Sequence, residues 1–375
     1  MDAAPNDALY PRNVGDLLSG KRERWQDAEA AYKRALDIDP NYNYALIGLG
    51  LLEKDRGHIG EAERLFGRAM EASPLEPLFA TNLGDLLREM TMRWDDAEVA
   101  YNKSLELDPR FGAALNGLGL LAEARGNVAE AEGFFLKAME ADPTDPLYPR
   151  NLGDLLRENT RRLDDAHAAY TKALEIDSQF VDAINGLGLL AMVRERFDEA
   201  ERLFRTAVTL APTDLVYTNN LADLFSATNR RVDAESLLRE FINDNPGTGD
   251  GYNALAWMLR NDSERLHEAW ELANKAAQFD PDPNYLHTLA DVSVSVDHPQ
   301  WMNAVSGWPT ACTPVFPANF RSDCISTLRK VIERGRTPDL VSVMHRSPAD
   351  TVWGTWTQAL EALIVPAKIG TLSDE

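Results

Sequence analysis

Cysteine is nearly absent: 375 residues contain two, Cys312 and Cys324. So few thiols in so long a chain exclude a disulfide framework and point to a reducing compartment. No run of eighteen apolar residues occurs, so no segment reads as a membrane-spanning helix. The opening MDAAPNDALYPRN has neither the basic nor the apolar stretch of a secretory leader. These features give the expectation of a cytoplasmic protein without a membrane partner. Positive charge is also short, with 38 Lys and Arg against 60 Asp and Glu and a net charge of −22. Nucleic acid binds mainly through neutralised phosphates and needs a basic stripe; none is visible, and nucleic acid is excluded as a partner. The acidity serves either the solubility of a large surface or a preference for basic partners.

Catalytic signatures are missing as well. No G-x-S-x-G, H-E-x-x-H or C-x-x-C occurs. The recurring GLGLL falls inside a helical pattern and follows no strand, so its glycines serve packing rather than a phosphate loop. His287, His298, Cys312 and Cys324 are zinc-ligand types, but their separations of 11, 14 and 12 residues match no compact zinc motif. Acidic residues recur with the repeat, so no unique carboxylate pair is set apart for acid–base work. No catalytic, cofactor-binding or metal residue is assigned, and the expectation is a protein that is not an enzyme.

What the chain does have is repetition. NVGDLL at 13–18, NLGDLL at 82–87 and 151–156, and NLADLF at 220–225 recur at a constant 69-residue step. Between them stand IGLGLL at 47–52, NGLGLL at 116–121 and 185–190, and the relic NALAWM at 253–258. The unit therefore alternates between 35 and 34 residues, a period that means stacked helical hairpins. Eight units follow: 6–40, 41–74, 75–109, 110–143, 144–178, 179–212, 213–246 and 247–281. Within one of them, Phe79, Leu83, Leu86, Leu87 and Met90 form the buried stripe of a first helix. Trp94, Ala97, Tyr101 and Leu105 form that of a second, which Pro109 stops. Gly84 marks the closest approach of the two.

The unit 41–74 carries Leu49-Gly50, Gly57, Ala62, Phe66, Ala69 and Pro74; 110–143 carries Leu118-Gly119, Gly126, Ala131, Phe135, Ala138 and Pro143; and 179–212 carries Leu187-Gly188, Ala200, Phe204, Ala207 and Pro212. These residues resemble the tetratricopeptide repeat. Odd units follow the same frame with one extra residue between the helices, as from Gly84 to Ala97 and from Gly153 to Ala166. The resemblance implies an all-α, right-handed superhelical solenoid over 6–281. The last two units depart from it, with Ala222 and Ala256 in place of the contact glycine.

A degenerate ninth unit starts at Asp282, with Leu289-Ala290, Trp301, Ala304 and Trp308 in frame. A proline-rich loop at 309–321 and short helical segments at about 322–334, 338–346 and 350–364 follow. A solenoid needs its open end covered, and 282–375, rich in tryptophan, reads as a helical C-terminal cap. The first unit has no cap helix before it. Its Leu9, Tyr10, Val14, Leu17 and Leu18 leave apolar surface for a partner or a second copy.

In this family the first helices line the concave side, which makes their polar residues the candidate site. Asn13 with Asp16, Asn82 with Asp85, Asn151 with Asp154 and Asn220 with Asp223 repeat at a spacing of three, which puts each pair on one helix face. Asn116, Asn185 and Asn253 stand one position earlier in the even units, and Asn219 adjoins Asn220. An amide both donates and accepts, so such a file pairs with successive peptide groups of an extended segment; the alternative is that it bonds a neighbouring helix. Arg12, Arg88, Arg150 and Arg157 are the sparse cations of this face, and carboxylates beside them suggest ion pairs. The expected function is a non-enzymatic adaptor or scaffold holding a peptide or protein partner. The alternative is a regulatory or sensor subunit docking through 282–375 or the first repeat, as in bacterial signalling and defence assemblies.

Overall fold

A computed structural model describes residues 7–295 apart from 22–23, 92 and 280–282. Among the described residues every long element is a helix. The chain forms two compact units, the first ending at Leu190 and the second starting at Ala191, and each is described by itself. The first unit contains α1 (Leu9–Ser19), α2 (Trp25–Ile38), α3 (Asn43–Asp55), α4 (Ile59–Ala72), α5 (Pro77–Met90) and α6 (Trp94–Leu107). It continues with α7 (Gly112–Ala124), α8 (Val128–Ala141), α9 (Leu147–Leu155) and α10 (Leu163–Ile176), after which α11 (Val181–Val193) begins. The second unit holds α12 (Phe197–Leu210), α13 (Leu215–Ala227), α14 (Arg231–Asp244), α15 (Asp250–Leu259), α16 (Leu266–Phe279) and α17 (Pro283–Ser295).

Helices pair as hairpins: α1 packs on α2, α3 on α4, α5 on α6, α7 on α8 and α9 on α10 in the first unit, and α13 on α14 and α15 on α16 in the second. Each second helix also packs on the first helix of the next hairpin, as α6 does on α7 and α16 on α17. The expected ninth unit is thus entered by α17. Its Trp301 and Trp308, the 309–321 loop and the remaining C-terminal segments lie outside the described residues.

Connections follow from local chemistry. Between hairpins an aspartate folds back on the chain: Asp39, Asp108, Asp142 and Asp177 each accept the backbone N–H two residues on, at 2.9–3.0 Å. Within the short turns one residue enters the left-handed region. Gly57 and Gly126 do so at φ +79°, where a glycine has no steric penalty. In the longer odd hairpins the extra residue widens the end of the first helix. The Arg93 and Arg162 amides reach back to the Leu87 and Leu156 carbonyls at 3.2 Å, and the Thr91 and Thr160 hydroxyls share those carbonyls.

The core is a file of rings set against glycine. Tyr32, Phe66, Tyr101, Phe135, Tyr170 and Phe204, one from each second helix α2 to α12, are at most 2% exposed. A β-carbon on Gly84 would stand 2.6 Å from the Tyr101 ring, and one on Gly117, in the next hairpin, 2.3 Å from the same ring. Tyr32 lies in the same way between Gly15 and Gly48, and Tyr170 between Gly153 and Gly186. Each tyrosine is therefore clasped by two first helices at once. A glycine inside a helix costs about 1 kcal/mol, whereas burying a large side chain gives about 1.5–3 kcal/mol, so the exchange is favourable. In the seventh hairpin the ring becomes Leu238 and the glycine Ala222; in the eighth they are Ala273 and Ala256. All four remain buried. In the seventh hairpin the volume is roughly kept, with the first helix gaining a methyl where the second exchanges its ring for leucine; in the eighth both positions hold small residues.

Before four of the second helices, α6, α10, α14 and α16, an arginine ties neighbouring hairpins. Arg93 pairs with Glu63 at 2.9 Å and Arg162 with Glu132 at 2.8 Å in the first unit; Arg230 pairs with Glu201 and Arg265 with Glu235, both at 2.6 Å, in the second. Each of the four also binds an acidic residue three positions on, Asp96, Asp165, Asp233 and Glu268. Such exposed pairs contribute little singly. Arginine hydrogen bonds lower the carboxyls of Glu201, Glu268 and Glu235, and those from Arg265 and Arg239 push Glu235 from 4.5 down to about 2.

Two tests follow from this packing. Gly119→Ala drives a methyl to 2.5 Å from the Phe135 ring and is expected to destabilise by about 1–3 kcal/mol despite better helix propensity. Adding Phe135→Leu should recover part of the loss in thermal melts, and additive losses would contradict the volume exchange. For Glu235, a folded pKa below the unfolded one makes its stabilisation complete above about 4.5, and that stabilisation fades as pH falls towards 2. Glu235→Gln should therefore lower the melting temperature at neutral pH, with the gap to the parent chain closing in acid.

Candidate groove sites

In the first unit the polar file is turned inward. The Asn151 amide nitrogen donates to Asn116 Oδ1 at 2.8 Å, and Arg150 donates to Asn151 Oδ1 at 2.9 Å. Both asparagines are buried, at 7% and 3% exposure. Their amides are spaced one hairpin apart, which is the reach needed to bond each other across α7 and α9. Asn185 is also buried and has bonding partners. Only Asn82, half-buried on α5, keeps a side chain free of hydrogen bonds among the described residues of this set.

The aspartates and arginines serve the ring file. Tyr101 donates to Asp85 at 2.7 Å and Tyr170 to Asp154 at 2.6 Å, as Tyr32 does to Asp16 at 2.9 Å. Arg88 and Arg157 donate to the same hydroxyls at 3.2 and 3.1 Å and also pair with Glu89 and Glu158. Arg150 lies 3.2 Å from Asp154, and Arg12 3.0 Å from Asp16. Burial pushes the Tyr101 and Tyr170 hydroxyls well above their usual range, with the facing carboxylates adding to the shift. Burial also raises Asp85, against the opposing pull of Tyr101 and Arg88. Each cluster is a polar network bonded largely within itself, although Arg12 Nε and Arg150 Nε face their carboxylates without forming a hydrogen bond.

The second unit differs. A groove of about 620 Å³ opens along the first helices α13, α15 and α17. Asn219, Asp223 and Ser226 enter it from α13; Asn253 and Trp257 from α15; Asn284, His287 and Thr288 from α17. Asn219 makes no side-chain hydrogen bond among the described residues, while Asn253 Oδ1 is fully buried without a partner. Asn220 is bonded. Trp257 lies along this groove, 5.7 Å from the His287 ring, with the Arg260 guanidinium 3.4 Å above its ring. The sequence pointed to the file but not to this contrast. Its signal was the loss of repeat residues: Asn219 stands where Arg150 does, Ser226 where Arg157 does, and Leu238 where Tyr170 does.

Two other regions bear on partners. Leu9, Tyr10, Val14 and Leu17 of α1 are exposed, Leu17 at 77%. His298, Cys312 and Cys324 lie outside the described residues, and among the described ones no cluster of metal-ligand type occurs. No described helix is long and apolar enough to cross a membrane.

The inward pairing makes a prediction for Asn151. Asn151→Ala strands Asn116 Oδ1 in the core, where an unsatisfied polar group costs about 1–3 kcal/mol. A clear drop in melting temperature is expected; Asn82→Ala on the same face should leave it nearly unchanged.

Comparison with known proteins agrees with this architecture. The tetratricopeptide-repeat pattern matches residues 20–77, 92–146 and 150–214. Protein O-mannosyl-transferase TMTC3 of Homo sapiens is 24% identical over 190 residues, covering 50% of this chain and 21% of that protein. Cellulose synthase 2 operon protein C of Komagataeibacter xylinus is 26% identical over 278 residues, covering 66% of this chain and 21% of that protein. The chain thus spans about a fifth of the length of these relatives. A solved tetratricopeptide repeat protein from Parabacteroides merdae superimposes with a TM-score of 0.47 at 20% identity, over 66% of this chain and 97% of that one. With the repeat pattern, the hairpins and the ring-and-glycine core in agreement, the matched stretches of this chain are tetratricopeptide repeats.

Proposed function

We propose that this chain is a non-enzymatic adaptor that holds an extended peptide segment of a partner protein in the groove of its second unit. The observation that carries the reading is the pair Asn219 and Asn253. They are the amides of the file with unused hydrogen-bonding capacity beside an open groove, and Asn253 Oδ1 is buried without a donor. A buried acceptor left unpaired is costly, and a backbone N–H of an extended ligand is the donor such a site suits. Helices in contact lie about 8–10 Å apart, so three first helices extend over about 20 Å. That length accommodates roughly six residues of extended chain. The groove volume lies within the ordinary range for ligand sites, about 300–1,000 Å³. The first unit then acts as the rigid body of the scaffold, its polar file bonded within itself.

A second reading rests on α1, whose exposed Leu17 and neighbours make an apolar strip at the other end of the sequence. There the chain is a regulatory subunit docking on a larger assembly. One experiment separates the two. Peptides selected by the parent chain from a random twelve-residue library are titrated against Asn219→Ala/Asn253→Ala and against Leu17→Asp. Each lost hydrogen bond contributes about 0.5–1.5 kcal/mol, so the double variant should bind roughly tenfold more weakly with an unchanged circular dichroism spectrum. Unaltered binding by the folded double variant, with loss in Leu17→Asp, moves the partner to α1.

A further inference from the structure

Four aspartates occupy the same position of the repeat, and three of them are neutralised. Asp16 receives the Tyr32 hydroxyl and pairs with Arg12; Asp85 receives Tyr101 and faces Arg88; Asp154 receives Tyr170 and pairs with Arg150 and Arg157. Asp223 is the fourth. At its three partner positions the chain has Leu238, Asn219 and Ser226. Leu238 has no donor, and the Ser226 hydroxyl is turned back on the Ala222 carbonyl at 2.9 Å. Among the described residues Asp223 makes neither a hydrogen bond nor an ion pair. Asp223 is exposed to the water of the groove, and partial desolvation by the surrounding protein raises its pKa. An acid in this state is favoured by any cation brought to it.

The rest of the groove agrees in sign. Asp250 also lines it and accepts the Tyr285 hydroxyl. The one described cation along the groove is Arg260, which donates to the Trp257 carbonyl at 2.6 Å, covers the Trp257 ring and stands 3.9 Å from Asp291. Its charge is engaged at the α15 end, away from the position on α13 that lost its arginines. Asn253 Oδ1 is a further acceptor without a donor. The groove therefore offers acceptors and negative charge where a ligand's donors would lie, on a chain whose net charge of −22 draws cationic segments towards it.

We infer that the groove of the second unit recognises an arginine or lysine side chain of an extended partner peptide, received by Asp223 in place of the arginines lost from the repeat. This rests on the peptide-groove reading above and adds the charge of the ligand to it. Asn219 and Asn253 hold the backbone on either side of the basic residue, and Asp223 supplies the discrimination, since a guanidinium or ammonium bound to a carboxylate forms the stronger, charge-assisted type of hydrogen bond.

The test uses the full chain and four pools of nine-residue peptides, acetylated and amidated at their ends. The central residue is fixed as arginine, lysine, citrulline or glutamate, and the other positions are degenerate. Fluorescence polarisation should show the arginine and lysine pools binding at least about tenfold more tightly than the citrulline pool, with the glutamate pool weakest. Asp223→Asn should bring the arginine pool down to the level of citrulline, and Asp223→Glu should restore most of the difference. Because Asp223 bonds to nothing among the described residues, both variants should melt like the parent chain. Equal binding of the arginine and citrulline pools, or an arginine advantage that survives Asp223→Asn, overturns the inference. If in that case Asn219→Ala/Asn253→Ala still weakens every pool, the peptide groove stands and only its charge preference falls. Binding by no pool, or binding indifferent to the asparagine pair, overturns both.

Discussion

The contact on which the described structure depends is that of an aromatic ring with a helix that has no side chain at the point of contact. Each tyrosine of the ring file, Tyr32, Tyr101 and Tyr170, stands against a glycine in its own hairpin and a second in the next one, so one ring fixes two interfaces. That arrangement makes a repeat unit unable to stand alone: half of the surface that buries its ring belongs to its neighbour. It also distinguishes alternate units. Tyrosine units and phenylalanine units differ in what lies at the ring's edge, because a tyrosine hydroxyl buried between helices requires an acceptor. In the first three odd units the aspartate three residues past the asparagine supplies it.

From that requirement the polar face of the first unit follows. A carboxylate placed to receive a tyrosine hydroxyl is itself partly desolvated, and arginines one turn away offset the cost. The result is an Arg–Asp–Tyr cluster repeated every 69 residues, at full strength around Asp154 and thinner around Asp16 and Asp85. These residues are functional in appearance and architectural in use. The Asn116–Asn151 bond belongs to the same economy, since two amides brought together across adjacent first helices satisfy one another before any ligand arrives.

The fold was legible in the sequence because its determinants are local and repeated. Leu49-Gly50, Gly57 and Phe66 have fixed spacings, and each reports one physical requirement of a hairpin. The candidate face was legible too, down to the helices and the residues that line it. Whether a given residue on that face was free was not, because freedom depends on partners in another hairpin. Asn116 and Asn253 look alike in sequence, and only the first has an amide opposite. The departure of the last hairpins from the pattern is of the same kind: Ala222 accompanies Leu238, and Ala256 accompanies Ala273. A substitution that breaks a pattern is interpretable only beside its contact.

That point bears on where function arises in such an array. A repeat constrained by its own packing has little latitude, since an arginine engaged with Asp154 and Tyr170 cannot be altered for a ligand without disturbing the core. Latitude appears where the core no longer uses the polar face. Once the ring at one position becomes leucine, no hydroxyl needs an acceptor, and the aspartate beside it is released from its structural task. The arginines that offset that aspartate lose their purpose at the same step. The seventh hairpin has made all of these changes while keeping Asp223 itself, and its neighbour keeps Asn253 beside the same groove. Freed of its partners, Asp223 stands exposed at the groove, where its charge is available to a ligand without any change in the core.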